Sequence, residues 1–366
     1  MINIGMVGVG DISGIYLKNI AETFKELNLV AVCDLIKERA LNAQQKYGIP
    51  KVYDTMYELF ADDSIDMVLN LTRPAEHYEV SKQALLAGKH VYSEKPLGAS
   101  LEQGLELVAI AKEKGLMLGG APDTFLGAGI QTCRRLIDSG VVGDIVGASA
   151  AMICHGHETW HHDPEFYYKF GGGPMFDMGP YYITALINLI GRVKSVTGVT
   201  KISFPQRTIT SQPLAGTVID VEAPTYITGV MTFENGAVAN ITTTFDVFKS
   251  NSKNIEIYGS KGTLYVPDPN CFDGDITFYN GETGETEHFP LTFDYGENSR
   301  ALGLADMAKA LETGRIPRAS YRQTLHVLEV MEAFTKSSNE GKAVEIQSDF
   351  TRQIPMNPAC KHGILD

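Results

Sequence analysis

The sequence is poor in cysteine and has no long apolar run, and both shortages exclude classes of protein. Its 366 residues include only five cysteines, none of them spaced as a Cys-x-x-Cys pair. Neither a disulfide framework nor a thiolate metal site is therefore expected, and such usage is typical of a reduced, cytoplasmic protein. No stretch approaches the roughly 18 consecutive apolar residues of a membrane helix. The N-terminus enters a strand pattern without a basic leader, so we expect neither a membrane partner nor a signal peptide.

Basic residues are also in short supply. The chain has 31 Lys and Arg against 44 Asp and Glu, a net charge of −13. This balance argues against a nucleic-acid partner, because phosphate binding needs a cationic face. The hydrophobic fraction of 44% is ample for a sizeable core, and the length favours two domains.

The first third of the chain alternates short apolar runs with amphipathic stretches. The apolar runs lie at residues 2–7, 29–33, 67–71, 90–93 and 116–119. Two of the helical patterns, at residues 76–87 and 101–114, are each followed by glycine, a common helix stop. This alternation predicts an α/β fold with a doubly wound parallel sheet, and we assign residues 1–121 to a Rossmann domain.

The rhythm changes after residue 121. We predict a helix at residues 127–138, a strand at 145–153, and a helix that begins near Pro174. Residues 194–289 are mostly strand-like with turn signals, and amphipathic helices follow at residues 301–313 and 321–337. Strands followed by helices predict a C-terminal α+β domain, residues 122–366, with a mostly antiparallel sheet.

A glycine-rich turn follows the first strand. In Gly8-Val9-Gly10-Asp11-Ile12-Ser13, Gly8 permits the tight turn and Gly10 lets the backbone approach a pyrophosphate. Asp34, at the end of the second strand, is placed to bind a ribose 2′-hydroxyl and would repel a 2′-phosphate. NAD is therefore favoured over NADP, and Asp11 and Ile12 are further candidate cofactor contacts. The alternative is a merely structural turn.

A lysine follows the fifth apolar run, in Glu94-Lys95-Pro96. Ligands of open α/β sheets bind at the carboxyl ends of the strands, so Lys95 is placed where a nicotinamide would lie. It could exchange a proton with a substrate hydroxyl while hydride moves to the ring. On spacing alone, a surface salt bridge between Glu94 and Lys95 explains the pattern equally well.

Four motifs, in order along nearly the whole chain, resemble the Gfo/Idh/MocA oxidoreductase family of glucose–fructose oxidoreductase and inositol dehydrogenase. They lie at residues 8–10, 31–34, 87–96 and 171–179. The resemblance implies a Rossmann domain joined to a substrate domain with a large, open sheet that often mediates oligomerisation, so a homodimer or homotetramer is expected. It also implies that Lys95 contacts substrate and cofactor, and that Thr72, Pro74, His77 and Glu94 belong to the cofactor site.

The sequence departs from the family after the glycine run. Many members have Asp-x-x-x-His there, whereas this chain has Asp177 and Tyr181. On one continuous helix these two side chains would share a face. We expect Lys95 and Tyr181 to share the proton transfer while Asp177 orients a substrate hydroxyl. The neighbouring Tyr182 is expected to pack inward, although either tyrosine could do so.

A histidine-rich segment spans residues 155–163 and contains Glu158 and the only tryptophan, Trp160. Histidine and carboxylate are zinc ligands, but the spacing is no recognised metal motif, and we expect no metal. Trp160 offers a flat face to a sugar, and His161 and His162 can bind its hydroxyls; alternatively, Trp160 anchors the segment by packing. Asp123 and Gln131 could reach the same cleft or decorate the helix at residues 127–138.

These features together predict an NAD-dependent oxidoreductase acting on a hydroxyl or ketone of a sugar, glycoside or polyol. Two alternatives stay open. One is an NAD-dependent, redox-neutral glycosidase or lyase, and the other is a non-catalytic NAD-binding sensor.

Overall fold

The computed structural model describes all residues, Met1–Asp366. Strands β1–β17 are, in chain order, Ile2–Val7, Leu27–Cys33, Lys51–Tyr53, Met67–Asn70, His90–Ser93, Leu118–Gly120, Ile145–Ile153, Val193–Lys201, Gln206–Thr208, Val218–Asp220, Tyr226–Phe233, Val238–Thr244, Ile255–Gly259, Gly262–Val266, Ile276–Asn280, Thr286–Phe289 and Val344–Glu345. Helices α1–α10 are Ser13–Glu22, Lys37–Tyr47, Met56–Phe60, His77–Leu86, Leu101–Lys114, Ala128–Asp138, Gly173–Asp177, Gly179–Leu189, Leu302–Thr313 and Tyr321–Glu340. No helix has the length and apolar character needed to cross a membrane.

The first compact unit comprises Met1–Ala128, Thr292–Leu325 and Ile354–Asp366. Its six-stranded sheet has the order β3-β2-β1-β4-β5-β6, and every neighbouring pair is parallel. All four residues of β4 are buried, as expected for a strand covered on both faces. The predicted doubly wound parallel sheet is confirmed.

The second compact unit comprises Gly129–Leu291 and His326–Gln353. Its nine-stranded sheet has the order β16-β15-β14-β13-β7-β12-β11-β8-β17, and β7 with β12 is its one parallel pair. Helix α8 is buried along its whole length and contacts β7. Outward-facing valines of this sheet remain exposed, namely Val146, Val199, Val230 and Val238. The predicted large, open, mostly antiparallel sheet is confirmed.

The two compact units are not separated by a single boundary between residues 121 and 122, because each contains more than one segment of the chain. Residues 292–325 belong to the first unit, where Ser320 forms a bridge with Gly119 and the Gly120 N–H donates to the Ala319 carbonyl over 3.0 Å. A Cβ at Gly119 would lie 2.5 Å from that carbonyl oxygen, so the absent side chain permits the approach. The division into a nucleotide-binding domain, 1–121, and a substrate-binding and oligomerisation domain, 122–366, stays a prediction.

The helix predicted from Pro174 is two helices. α7 ends at Asp177 and α8 begins at Gly179, with Pro180 in its first turn. Pro180 has no N–H to donate to the carbonyl of Phe176, four residues earlier, and this missing bond explains an interruption at this point. Asp177 and Tyr181 therefore do not lie on one continuous helix, and the expectation that both side chains face the substrate stays a prediction.

Candidate active site

The glycine turn follows β1 in the first unit. Gly8 has φ +97°, and a Cβ there would lie 2.7 Å from the backbone carbonyl carbon and oxygen of Leu71. A Cβ at Gly10, by contrast, would have no atom within 4 Å. Gly8 is thus required by the fold, whereas Gly10 leaves open space beside the backbone for a ligand.

Helix α1 begins where the turn ends. Its first residue, Ser13, directs both its N–H and its Oγ to the Gly10 carbonyl, over 3.1 and 2.7 Å. Ile12, at the N-cap, makes no side-chain cap, and the first helical turn contains no acidic residue. Uncapped N–H groups and the positive end of the helix dipole suit an anion such as a pyrophosphate. Asp11, just before the helix, is exposed.

Asp34 closes the turn from the end of β2. Its Oδ2 accepts the Val9 N–H over 2.6 Å, and its Oδ1 accepts the Ile36 N–H over 2.7 Å. The carboxylate is therefore fixed beside the glycine turn, as a ribose-binding residue must be. The nearby cation Lys37 pairs instead with Asp54 over 2.6 Å on the surface.

Thr72 lies in the loop after β4, and His77 is the first residue of α4. The Thr72 hydroxyl donates to Asn70 Oδ1 over 2.6 Å. His77 is buried, and its Nδ1 and Nε2 lie 2.8 Å from the Pro96 carbonyl oxygen and 2.9 Å from the Thr72 carbonyl oxygen. Burial lowers the pKa of this imidazole. His77 thus ties the segment of Thr72 and the half-buried Pro74 to the segment of Lys95 and Pro96.

The loop after β5 is held by a buried carboxylate. Glu94 accepts the Tyr16 hydroxyl at Oε1 over 2.7 Å and the Lys95 N–H at Oε2 over 3.0 Å. Burial first, and then the charge of Glu94, raise the pKa of the Tyr16 hydroxyl well above its usual range. Because Glu94 is buried, a solvated surface salt bridge with Lys95 does not describe this loop. Tyr16 could not have been singled out from spacing.

Asp123 is a second buried carboxyl of the first unit. It accepts the Gly303 N–H, near the start of α9, over 3.0 Å. Burial raises the pKa of Asp123 to about 6, against the lowering effects of that N–H and of Arg300. Asp123 therefore supports α9 from a buried position, and Gln131, in the second unit, is also buried.

In the second unit, buried ion pairs anchor the histidine-rich segment. Arg207 Nη1 lies 2.7 Å from Glu158 Oε1, and Nη2 pairs with Asp246. The Tyr168 hydroxyl also donates to Glu158. Glu158 thus binds a guanidinium within the protein, an arrangement that sequence spacing did not indicate. Trp160 is 64% exposed, and its ring lies edge-on to those of His157 and His161 at 5.1 and 5.4 Å.

The same segment places a histidine against Asp177. His157 Nε2 lies 3.0 Å from Asp177 Oδ2, whereas the sequence analysis had selected His161 and His162. The rings of His161 and His162 stack at 4.7 Å, and His162 is exposed. No spacing signal pointed to His157, which precedes Asp177 by 20 residues.

Tyr181 and Tyr182 are both buried in α8. The Tyr182 hydroxyl donates to Asn254 Oδ1 over 3.4 Å, and burial raises the pKa of this phenol above its usual range. These contacts agree with the packing role considered for Tyr182.

Comparison with known proteins agrees with this architecture. The family model "Oxidoreductase family, NAD-binding Rossmann fold" matches residues 2–120, and the model "GFO/IDH/MocA C-terminal domain" matches residues 130–265. A D-xylose 1-dehydrogenase (NADP(+)) from Haloferax volcanii is 24% identical over 351 residues, covering 93% of this chain and 99% of the relative. D-glucoside 3-dehydrogenase from Escherichia coli is 27% identical over 268 residues, covering 71% of this chain and 75% of the relative.

Among solved structures, levoglucosan dehydrogenase in complex with NADH and L-sorbose superposes with a TM-score of 0.81. That similarity covers 95% of this chain and 99% of the other at 20% identity, so it establishes the fold alone. The two family models together span well over half of the sequence and include the glycine turn, the Glu94–Pro96 loop and the segment of Asp177. The chain therefore belongs to the Gfo/Idh/MocA family of oxidoreductases with an NAD-binding Rossmann fold.

Proposed function

We propose that this protein is an NAD-dependent dehydrogenase that oxidises a hydroxyl group of a sugar, glycoside or polyol, or reduces the corresponding ketone. The observation that carries the proposal is the position of Lys95. It follows a strand of the nucleotide-binding sheet, in a loop held by buried Glu94 and His77. Such restraint suits a group that must meet a reacting hydroxyl in a defined geometry.

The residues present fit a dinucleotide. The uncapped start of α1 and the open space at Gly10 would hold the pyrophosphate, and Asp34 would bind the adenosine ribose. When bound, the nicotinamide supplies hydride acceptance and donation. We favour NAD over NADP because the Asp34 carboxylate would repel a 2′-phosphate. The Haloferax relative is named for NADP(+), so both cofactors belong in the test.

The substrate side of the proposal lies in the second unit. Asp177 orients a substrate hydroxyl, and Tyr181 shares with Lys95 the transfer of its proton. Trp160 offers an exposed indole face to a sugar ring, and His161 and His162 can bind hydroxyl groups. The names of the xylose and glucoside dehydrogenases support this substrate class.

The test is a screen of sugars, polyols and glycosides with NAD and NADP, read by nicotinamide absorbance. With the best substrate, Lys95→Ala should lower kcat about 10²–10⁴-fold while NAD binding is retained. Exposed Lys249 offers the matched control, and Lys249→Ala should behave as wild type. Unchanged turnover in Lys95→Ala would remove the lysine from the mechanism. Product formation without accumulation of NADH would indicate the redox-neutral reaction instead.

The same proposal includes a homo-oligomer built on the open sheet of the second unit. The exposed valines Val146, Val199, Val230 and Val238 lie on neighbouring strands of that sheet, and contiguous apolar surface is typical of an interface. Val230→Lys should shift the mass measured by light scattering towards the monomer, whereas unchanged mass would contradict this interface.

A further inference from the structure

Asp177 is the last residue of α7, and an imidazole from another segment faces its side chain. His157 Nε2 lies 3.0 Å from Asp177 Oδ2, and the two side chains are only 12% and 15% exposed. A pair so shielded from water is screened less than a surface ion pair, and the 3.0 Å separation is within hydrogen-bonding distance. The contact therefore has the geometry of a defined hydrogen bond.

The other ring nitrogen identifies the donor. His157 Nδ1 is buried and has no hydrogen-bond partner. A neutral imidazole carries a hydrogen on one of its two nitrogens. A hydrogen on Nδ1 would leave a buried donor unpaired, and Nε2 would then face the carboxylate as one acceptor against another. The favoured arrangement has the hydrogen on Nε2, donated to Asp177.

The imidazole is itself held in place. The centroid of its ring lies 4.2 Å from that of Tyr167 and 4.6 Å from that of Phe245. The next residue along the chain is Glu158, which is paired with buried Arg207. Packing and this adjacent anchor leave His157 little freedom to turn away from Asp177.

We infer that His157 is the positioning residue for Asp177, fixing the orientation of the carboxylate that accepts a substrate hydroxyl. A carboxylate has two oxygens and about four lone-pair sites, so it can accept both bonds at once. This inference rests on the proposed function, because it assigns the substrate contact to Asp177. His157 acts through Asp177 and is not placed in contact with substrate.

The first experiment measures steady-state kinetics of three variants with the best substrate of the screen. His157→Phe keeps a ring but removes the donor, and it should lower kcat/KM about 10–100-fold while KM for NAD stays unchanged. His157→Gln should recover much of the loss, because its amide nitrogen lies as many bonds from Cβ as the imidazole Nε2. His155→Phe, the control, alters a neighbouring histidine that stacks on Phe248 at 3.5 Å, and it should behave as wild type.

A double-mutant cycle separates positioning from general support of the fold. In the Asp177→Asn background, His157→Phe should cost less than about 2-fold, since the two residues act as one unit. An equal loss in both backgrounds, or a His157→Phe enzyme with wild-type kcat/KM, would overturn the inference while leaving the proposed function standing.

A second measurement needs no turnover. Nitrogen-15 NMR of the histidine rings in the full-length protein should show His157 with its hydrogen on Nε2, and Asp177→Asn should shift that resonance. An Nε2 that carries no hydrogen would overturn the inference even if no substrate were found. Absence of turnover in the wild type would count against the proposed function alone, so the two failures are distinguishable.

Discussion

The turn at residues 8–13 and the segment at residues 155–163 both follow a strand, but different interactions hold them. In the turn, the Gly8 N–H donates to the Cys33 carbonyl over 2.9 Å and the Val9 N–H donates to Asp34. In the segment, Glu158 pairs with Arg207, which also holds Asp246, and all three side chains are buried. Hydrogen bonds donated by backbone N–H groups hold the glycine turn, whereas ion pairs between side chains hold the histidine-rich segment.

The two regions therefore differ in what a substitution removes. Loss of a buried charge leaves its partners desolvated and unpaired, which costs more than the net value of the pair. The bond from the Gly8 N–H to the Cys33 carbonyl joins two backbone groups, so it survives most side-chain changes unless an added side chain displaces the backbone. We expect the histidine-rich segment to be sensitive to charge and the glycine turn to be sensitive to volume.

The largest effect is expected from Arg207→Met. Glu158 and Asp246 would remain buried without their shared cation, lowering the free energy of unfolding by about 3–5 kcal/mol. Urea titration measures this loss. The control Lys169→Met removes a solvent-accessible cation that pairs with Glu222, and it should change the urea midpoint little. Equal losses of stability in the two variants would contradict the expectation that the histidine-rich segment depends on its buried charges.

Asp123 is a buried carboxyl of the first unit, and its pKa of about 6 predicts a pH effect. An unfolded Asp loses its proton near pH 4, whereas the folded one keeps it to about pH 6. The folded state thus binds more protons in that window, so stability should fall as pH rises from about 4 to about 6, by at most ~3 kcal/mol. Asp123→Asn should flatten this part of the curve in thermal unfolding. An unchanged slope would refute the assignment.

Two glycines sharpen the comparison within the turn itself. Gly8→Ala places a methyl 2.7 Å from the Leu71 carbonyl at a φ of +97°. We expect the free energy of unfolding to fall by about 2–3 kcal/mol and the affinity for NAD to fall as well. Gly10→Ala meets no protein atom, so it should leave stability unchanged and weaken NAD binding alone. Calorimetry measures the stability of the two variants, and a cofactor titration measures their affinity for NAD. Similar losses of stability would contradict the different roles assigned to Gly8 and Gly10.

The smallest effect is expected from Tyr16→Phe. It removes the hydroxyl that donates to buried Glu94, which should cost about 1–2 kcal/mol. Exposed Tyr57 supplies the control, and Tyr57→Phe should change the unfolding midpoint little. A Tyr16→Phe protein as stable as wild type would show that this link contributes nothing to the Lys95 loop.

Strong local signals predicted some elements closely. The helix predicted at residues 101–114 is α5, Leu101–Lys114, where the Ser100 side chain caps the start and Gly115 adopts a left-handed conformation at the end. Both signals act within one turn of the helix, so they can be recognised without the rest of the fold. The break between Asp177 and Gly179 was missed because the helical pattern was weighed above the proline that follows.

A regular unit of secondary structure accounts for the part of the site that spacing could predict. Val9 and Asp34 are 25 positions apart within one strand–helix–strand unit, and that geometry gives the glycine turn a recognisable spacing. Arg207 meets Glu158 across 49 positions and Asp246 across 39, and no periodic rule sets such separations. His157 and Asp177 are only 20 positions apart, yet no regular unit of secondary structure sets their spacing either. Only the folded chain, by bringing distant segments together and excluding water from them, decided which charges became partners.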